Sequence, residues 1–391
     1  MNYKNFNGTN CRQRSFRSTH LIIIILICIA LFACVPGGAC GGITRPAGWS
    51  SGVVENNILY TGTMDGEIIA IDAVSGDYIW HFEPSIGEEK NRAFYGDPVI
   101  VDDLIYVAGY DGYLYAISKS DGSLWEQPIP IGENKDSVVG GPEYGEGVLV
   151  VGSSDGNIYG YDVEDISNIW SFETGSKIWT KPLISGGQAF FGSLDKSFYS
   201  LDVKDGSLNW SFETGGAIIT SPTKVGDKVL FGSFDGVFYA LQSESGKELW
   251  RFTDAKGWYW GKPVATETHV YAPSLDGNLY AIDIDSGRLT WKVETDGPII
   301  GSPLILDDWI IFGSDDGKLR VVSLKNGSSQ KRCNIGHDLR TSIVKGEEAV
   351  YMGVSNRSII AINIKANGDP DEKWNYITED QNIDLDRAKA C

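Results

Sequence analysis

The chain has 391 residues and a formal net charge of −19, and this excess of acid argues against a nucleic-acid-binding protein, since phosphate backbones attract basic surfaces. Its 47 glycines, 12 tryptophans and 18 tyrosines are typical of many short strands joined by tight turns. The four histidines lie far apart, at positions 20, 81, 269 and 337, without metal-ligand spacing. No nucleophile or phosphate-binding motif is present, so the residues predict no catalytic site.

The N-terminus has the pattern of an export signal. Four basic residues and no acid precede an unbroken apolar run from Leu21 to Ala33. As a helix, this run would reach roughly 20 Å, which is short of the ~30 Å hydrocarbon core and makes a permanent membrane span the weaker interpretation. We therefore predict that residues 1–33 are a signal peptide.

The apolar run ends in Leu31-Phe32-Ala33-Cys34, which resembles the lipobox of bacterial lipoproteins. This resemblance implies lipidation of Cys34, with glycine-rich residues 34–46 as a flexible tether. An ordinary secretory signal cleaved near Ala39 remains the alternative. Either way we expect an exported protein, and with the lipid it would be anchored on the extracytoplasmic side, in the periplasm or at the cell surface.

The six cysteines lie at positions 11, 28, 34, 40, 333 and 391, without the spacing of a metal site. Two of them fall inside the predicted signal peptide. With Cys34 lipidated, Cys40, Cys333 and Cys391 remain for at most one disulfide, and which pair forms stays open.

A motif of the type Gly-Ser-x-Asp-Gly repeats along most of the chain. Its clearest copies begin at Gly192 and Gly232, and intervals of 40 to 46 residues separate all eight. The other copies begin at Gly62, Ala108, Gly152, Pro273, Gly313 and Gly353. Each copy contains four alternating apolar segments bounded by turns. The sequence thus predicts an all-β fold, an eight-bladed β-propeller of four-stranded antiparallel blades at 47–378, followed by a C-terminal tail at 379–391.

A tryptophan recurs on the predicted outer strand of seven copies, and the seventh copy has Lys331 in its place. These tryptophans are Trp80, Trp125, Trp170, Trp210, Trp250, Trp291 and Trp374. We expect each to pack between adjacent blades, with its N–H bonded to a backbone group. The chain also begins on an inner strand and ends on an outer strand, which predicts that no blade mixes strands from both termini.

The repeat unit, best seen in Leu279-Tyr-Ala-Ile-Asp-Ile-Asp-Ser-Gly-Arg-Leu-Thr-Trp291, resembles the pyrroloquinoline quinone repeat. It is similar to the quinoprotein alcohol dehydrogenase superfamily, which includes quinone-dependent dehydrogenases and non-enzymatic BamB-like lipoproteins. An enzyme of this type would be expected to stack the quinone between a tryptophan and a disulfide of adjacent cysteines, beside a Ca²⁺ ion. No adjacent cysteines occur here, so no catalytic position is carried over and no cofactor is expected. A dehydrogenase using pyrroloquinoline quinone and Ca²⁺ is the alternative.

Loops that enter the inner strands should share one end of the propeller with the Asp-Gly hairpins, and they gather aromatic and basic residues there. We predict a ligand- or partner-binding mouth at this end, and the alternative is that the rings plug the channel. Its residues are Trp49, Tyr95, Trp179, Lys181, Trp258, Tyr259, Trp260, Lys262 and Arg340. A separate loop in the last copy, with Asn367, Asp369 and Asp371 at alternate positions, is a weaker Ca²⁺ candidate.

These features predict a monomeric propeller that binds proteins or a ligand, or acts as an assembly module. The expected partners are envelope or membrane proteins, or a small envelope ligand. Assembly work of the BamB-like kind would need a bacterium with an outer membrane. In a cell with one membrane, the same fold would be a surface-exposed binding protein.

Overall fold

A computed structural model describes residues 50–84, 93–164, 166–328, 331–378, 382–383 and 391. Within these residues no helix forms, and all strands belong to eight antiparallel sheets whose strands follow chain order. The sheets are the blades of an eight-bladed β-propeller, as the repeats predict. In the described part of the chain, no helix is long and apolar enough to cross a membrane.

Blades 1 to 4 run from the innermost to the outermost strand in order. Their strands are β1 (Val53–Glu55), β2 (Ile58–Gly62), β3 (Ile68–Asp72) and β4 (Tyr78–Phe82); β5 (Val99–Val101), β6 (Leu104–Ala108), β7 (Tyr113–Ser118) and β8 (Ile129–Pro130); β9 (Glu143–Gly145), β10 (Val148–Gly152), β11 (Asn157–Asp162) and β12 (Asn168–Glu173); β13 (Leu183–Ser185), β14 (Gln188–Gly192), β15 (Ser197–Asp202) and β16 (Leu208–Glu213).

Blades 5 to 8 repeat this order, and the last blade gains a fifth strand. Their strands are β17 (Thr223–Val225), β18 (Lys228–Gly232), β19 (Phe238–Gln242) and β20 (Glu248–Phe252); β21 (Val264–Ala265), β22 (His269–Pro273), β23 (Asn278–Asp283) and β24 (Leu289–Glu294); β25 (Leu304–Leu306), β26 (Trp309–Gly313), β27 (Lys318–Ser323) and β28 (Lys331–Asn334); β29 (Val344–Lys345), β30 (Val350–Val354), β31 (Ser358–Ile364), β32 (Pro370–Ile377) and β33 (Asn382–Ile383).

The ring closes by packing and hydrogen bonds between blades 8 and 1. Every sheet is built from one continuous segment, so in the described residues no blade mixes strands from both ends of the chain, as predicted. The Tyr351 hydroxyl donates to the Ala73 carbonyl at 2.8 Å, and the Trp374 indole N–H donates to the same oxygen at 3.2 Å. Side chains of the two blades therefore make the closure that an exchanged strand makes in other propellers.

The C-terminal segment contributes to the fold. Strand β33 pairs antiparallel with β32, and Cys391 forms a disulfide with Cys333 on β28 of blade 7. Their Cα atoms lie 4.9 Å apart, and Cys333 is fully buried. This pairing settles which of the open cysteine combinations forms in the structure.

The hydrophobic core lies between neighbouring blades. Phe198 of blade 4, for example, stacks on Phe231 of blade 5 with ring centroids 4.0 Å apart. Each face of a blade's middle strands packs against a neighbouring blade, which explains why apolar residues fill both alternating positions of these strands.

Most recurring tryptophans bridge blades as expected. Trp80, Trp170, Trp210 and Trp250 each donate the indole N–H to a carbonyl of the next blade, at 2.9 to 3.0 Å. Trp291 packs in the same way but finds no N–H partner among the described residues. A glycine with positive φ lies against the ring in these five blade contacts. These glycines are Gly122, Gly206, Gly246, Gly287 and Gly327.

Trp125 of blade 2 does not pack between blades, so the prediction for it is wrong. Its side chain is 64% exposed. The next blade has Ile166, with φ of 51°, at the position that is glycine elsewhere, and Ile166 fills the gap beside Tyr106. The side chain of Ile166 occupies the space that the indole ring would need.

The lost tryptophan of blade 7 is replaced from another strand. Trp309 on β26 lies against Gly368 of blade 8 and donates its N–H to the Ala366 carbonyl at 3.3 Å. The same contact between a ring and a left-handed glycine is thus made at this junction, although Lys331 stands at the usual tryptophan position.

Candidate binding surface at the channel mouth

The loops before the inner strands and the Gly-Ser-x-Asp-Gly hairpins lie together at one end, which we call the mouth. The backbone N–H of Phe234 donates to the Ala217 carbonyl, and that of Leu275 donates to the Trp258 carbonyl, both at 2.9 Å. Such bonds tie each hairpin to the loop entering the same blade. The predicted position of these loops is confirmed.

The hairpin aspartates of blades 2 to 7 have a structural role. In blade 6, Asp276 accepts hydrogen bonds from the Tyr280 hydroxyl at 2.7 Å and from the Lys256 and Asn278 amides. Burial opposes ionisation of Asp276, but these bonds more than offset it and lower its pKa. In blade 7 Arg320 replaces the tyrosine and pairs with Asp316. These carboxylates therefore fasten the mouth rather than await a ligand.

Three aromatic side chains form a partly exposed group at the junction of blades 5 and 6. Trp258 stacks on Phe234 with centroids 4.8 Å apart and an interplanar angle of 20°. The Trp260 ring is tilted against Phe234, with centroids 6.1 Å apart and an interplanar angle of 38°. We call Phe234, Trp258 and Trp260 the aromatic cluster. Phe234 was missed from the sequence, although an aromatic residue at the variable position of the hairpin was the available signal.

Tyr259 does not belong to the accessible mouth, and the prediction for it is corrected. Its side chain is 1% exposed and packs on Gly232 and Phe238 in the core between blades 5 and 6. The loop backbone is extended here, so Trp258 and Trp260 lie on one side of it and Tyr259 on the other. Burial raises the pKa of the Tyr259 hydroxyl well above its ordinary value.

The other predicted mouth residues are spread around the ring. Trp179 donates its N–H to Ser154 Oγ at 3.1 Å and has the Lys177 ammonium 6.0 Å above its ring. Tyr95 packs edge-on against Tyr110 at 5.4 Å, and burial raises its pKa.

Arg340 is already neutralised by acidic neighbours. Its guanidinium binds Asp315 at 3.0 Å and Asp338 at 2.8 Å.

Two predicted site residues, Trp49 and Cys34, lie outside the described residues.

Lys181 and Lys262 occupy equivalent positions, each two residues before the inner strand of its blade. The Lys181 ammonium lies 3.3 Å from Glu143. Burial lowers the pKa of Lys262, the charge of Lys181 lowers it further, and Glu143 and Asp97 act in the opposite direction.

The family model described as outer membrane protein assembly factor BamB matches residues 41–130, 123–250 and 234–381. The chain belongs to this family.

Segments of the chain are also similar to curated proteins of two kinds. BamB of Nitrosomonas eutropha is 27% identical over 122 residues, covering 31% of this chain and 27% of the relative. The quinohemoprotein alcohol dehydrogenase ADH IIB of Pseudomonas putida is 26% identical over 140 residues, covering 34% of this chain and 20% of the relative. The matched segments therefore span about a quarter or less of those proteins.

Two solved structures share the fold. BamB of Moraxella catarrhalis superposes with a TM-score of 0.62 at 18% identity, covering 82% of this chain and 92% of that one. The computationally designed Ika8 protein gives a TM-score of 0.69 at 16% identity, covering 81% and 96%. At these identities the likeness shows the fold alone.

The described residues of this BamB-family chain provide neither feature that the resemblance implies for a quinone and Ca²⁺ site. Cys333 bonds to Cys391, 58 positions away, so it cannot form a disulfide with an adjacent residue. Within the described ranges, no group of three or more His, Cys, Asp or Glu side chains is arranged to hold a metal ion.

In the Ca²⁺ candidate loop, Asp369 contacts the Lys331 ammonium at 2.8 Å and the Asn367 amide at 2.6 Å. These contacts support a structural role, in which the loop holds the backbone against Trp309.

Proposed function

We propose that this protein is a non-enzymatic, lipid-anchored propeller that binds another envelope protein through its mouth, as an assembly scaffold of the outer membrane. Membership of the BamB family supports the scaffold role. The aromatic cluster carries the proposal for the binding surface. Tryptophan is enriched among residues that dominate binding energies, and stacked rings present rigid apolar area with polar edges.

The surroundings of the cluster support a recognition role over a purely structural one. Tyr259 already fills the gap between blades 5 and 6, whereas Phe234, Trp258 and Trp260 stay partly exposed above it. The recurring tryptophans that hold blades together lie on outer strands. Blade packing therefore does not require the two tryptophans of this loop.

The test is capture of envelope proteins by the full-length protein from detergent-solubilised membranes, with chemical crosslinking. We expect Trp258→Ala and Trp260→Ala together to lose the captured partner while the melting temperature changes little. Trp125→Ala is the matched control, because it also removes an exposed tryptophan, but from the outer edge of blade 2. Partner capture that survives the double substitution, together with a large loss of stability, would show that the cluster is a channel plug.

The anchor has its own test. We expect Cys34→Ser to release the protein from membranes or to block its maturation, because the thiol is the acceptor for the lipid. Mass spectrometry of the wild-type N-terminus should find fatty acid. Membrane retention of Cys34→Ser after an alkaline wash, with no fatty acid on the wild type, would reject lipidation.

A titration with pyrroloquinoline quinone and Ca²⁺ addresses the dehydrogenase alternative suggested by the similarity to ADH IIB. We expect no saturable binding and no alcohol- or sugar-dependent dye reduction. Either activity would overturn the scaffold proposal.

A further inference from the structure

Equivalent residues at the start of the eight inner strands form a ring around the propeller axis, which we call the axial ring. Its members are Ser51, Asp97, Gly141, Lys181, Ser221, Lys262, Ser302 and Ser342. Neighbouring members are linked by a backbone N–H that donates to the side-chain oxygen of the next. The links are Ser51 to Asp97 at 2.7 Å, Lys181 to Ser221 and Lys262 to Ser302 at 3.0 Å, Ser302 to Ser342 at 3.2 Å and Ser342 to Ser51 at 2.8 Å.

The links are absent where the next member of the ring has no side-chain oxygen to accept the hydrogen bond. In the order of the ring, Gly141 follows Asp97, Lys181 follows Gly141 and Lys262 follows Ser221. The amides concerned are those of Asp97, Gly141 and Ser221. Among the described residues, none of these three amides has a hydrogen-bond partner. At Gly141 and Ser221 the next side chain brings an ammonium donor in place of an acceptor. At these two places, which the link from Lys181 to Ser221 separates, the ring supplies donors without a side-chain acceptor.

The two lysines of the ring differ in whether a carboxylate pairs with the ammonium group. Lys181 has Glu143 at 3.3 Å. Lys262 has no carboxylate within 4 Å in the part of the chain that the structure describes, although its side chain reaches channel water. Lys181 repels its charge, and Glu143 and Asp97 attract it from farther away. These donors are therefore left to channel water or to a ligand that brings acceptor atoms.

We propose that the axial channel binds a compact oxyanion, such as phosphate, sulfate or a carboxylate, at Lys262. The Ser221 amide and the Lys262 ammonium donate to it, and the charge of Lys181, two blades away, adds attraction. Charge-assisted hydrogen bonds of this kind are the strong ones, and backbone amides are common anion donors. Glu143 and Asp97 limit the bound charge by repulsion, which favours a small anion over a polyanion. This site goes beyond the proposed function and uses none of the aromatic cluster.

The test is calorimetric titration of the full-length protein with inorganic phosphate, sulfate or acetate at constant ionic strength, with chloride as the balancing ion. We expect saturable binding of one molecule of at least one oxyanion and a rise in melting temperature that follows its concentration. Lys262→Met should weaken binding about 10- to 100-fold, which is the usual worth of a hydrogen bond to a charged group. Lys204→Met is the matched control, because Lys204 is an exposed turn residue, and it should bind as the wild type does.

Two further measurements test the role of the lysines. Lys262→Met should have a higher melting temperature than the wild type in chloride alone, because it removes a charge that the charge of Lys181 repels. Lys181→Met should also weaken binding of the anion, because Glu143 would then lose its ion-pair partner beside the site. The proposal is overturned if none of the three oxyanions binds saturably, or if Lys262→Met and Lys181→Met bind as tightly as Lys204→Met. Failure of the wild-type protein to capture any envelope protein, with anion binding intact, would refute the proposed function alone.

Discussion

The indole ring of Trp170 in blade 3 lies on Gly206 of blade 4, whose φ is +70°. A Cβ atom at Gly206 would come within 2.7 Å of the ring, and the Trp170 N–H donates to the Val203 carbonyl three residues earlier. One turn thus supplies both a flat surface for the ring and an acceptor for its N–H. The same relationship recurs around the propeller and explains why glycine and tryptophan repeat together.

Gly206→Ala should therefore destabilise the protein by about 2–4 kcal/mol, from the strain of an L-residue at positive φ and from overpacking against Trp170. Gly186→Ala is the control, because Gly186 has a similar φ of +62° but no atom within 4 Å of the added methyl group. Urea unfolding of both variants separates the two effects. Equal losses of unfolding free energy would mean that the contact with Trp170 contributes nothing.

Two tryptophans at equivalent sequence positions should differ strongly in their effect on stability. Trp210→Ala removes a ring that is 9% exposed and should cost about 3–5 kcal/mol. Trp125→Ala removes a ring that is 64% exposed and should change the unfolding free energy by at most about 0.5 kcal/mol. A cost for Trp125→Ala close to that for Trp210→Ala would place Trp125 between blades after all.

Much of the fold follows from the sequence, because one repeated unit determines the blade, its turns and its packing faces. The structure departs from the sequence-based predictions at contacts between two neighbouring repeats. Trp125 alone predicts a buried ring, but its fate depends on Ile166, which lies 41 residues later and occupies the glycine position of the next blade. The position of Phe234 beside Trp258 likewise depends on contact between blades. Such pairs become visible only when neighbouring repeats are compared position by position.

The disulfide should stabilise the last two blades. Cys333 and Cys391 are 58 residues apart, and a crosslink over such a loop is worth about 2–4 kcal/mol, chiefly by restricting the unfolded chain. We expect Cys391→Ser to lower the unfolding free energy by this amount, and hydrogen exchange should show the largest loss of protection in β32 and β28. A reducing agent should have the same effect on the wild type and none on the variant. Loss of protection spread evenly over all eight blades would contradict this local role.

Asp276 and Asp316, two of the hairpin aspartates, should make stability depend on acid pH. The pKa of Asp276 in the folded protein lies below its ordinary value of 3.8, because hydrogen bonds from Tyr280 and two amides outweigh the effect of burial. In blade 7 the partner Arg320 likewise lowers the pKa of Asp316 against the effect of burial. A carboxyl group with a lowered pKa binds protons more readily in the unfolded chain. Its contribution is therefore complete above pH 3.8 and is lost as the pH falls through the lower pKa of the folded state.

Asp276→Asn should reduce the unfolding free energy near neutral pH and flatten its fall below about pH 4, since the titrating group is gone. Asp103→Asn is the control, because Asp103 is exposed on a turn of blade 2, away from the mouth, and this variant should follow the wild-type curve. Urea unfolding from pH 2.5 to 7 measures both. If Asp276→Asn keeps the full acid dependence of the wild type, the hydrogen bonds of this hairpin do not stabilise the carboxylate, and the acid sensitivity must originate in other groups.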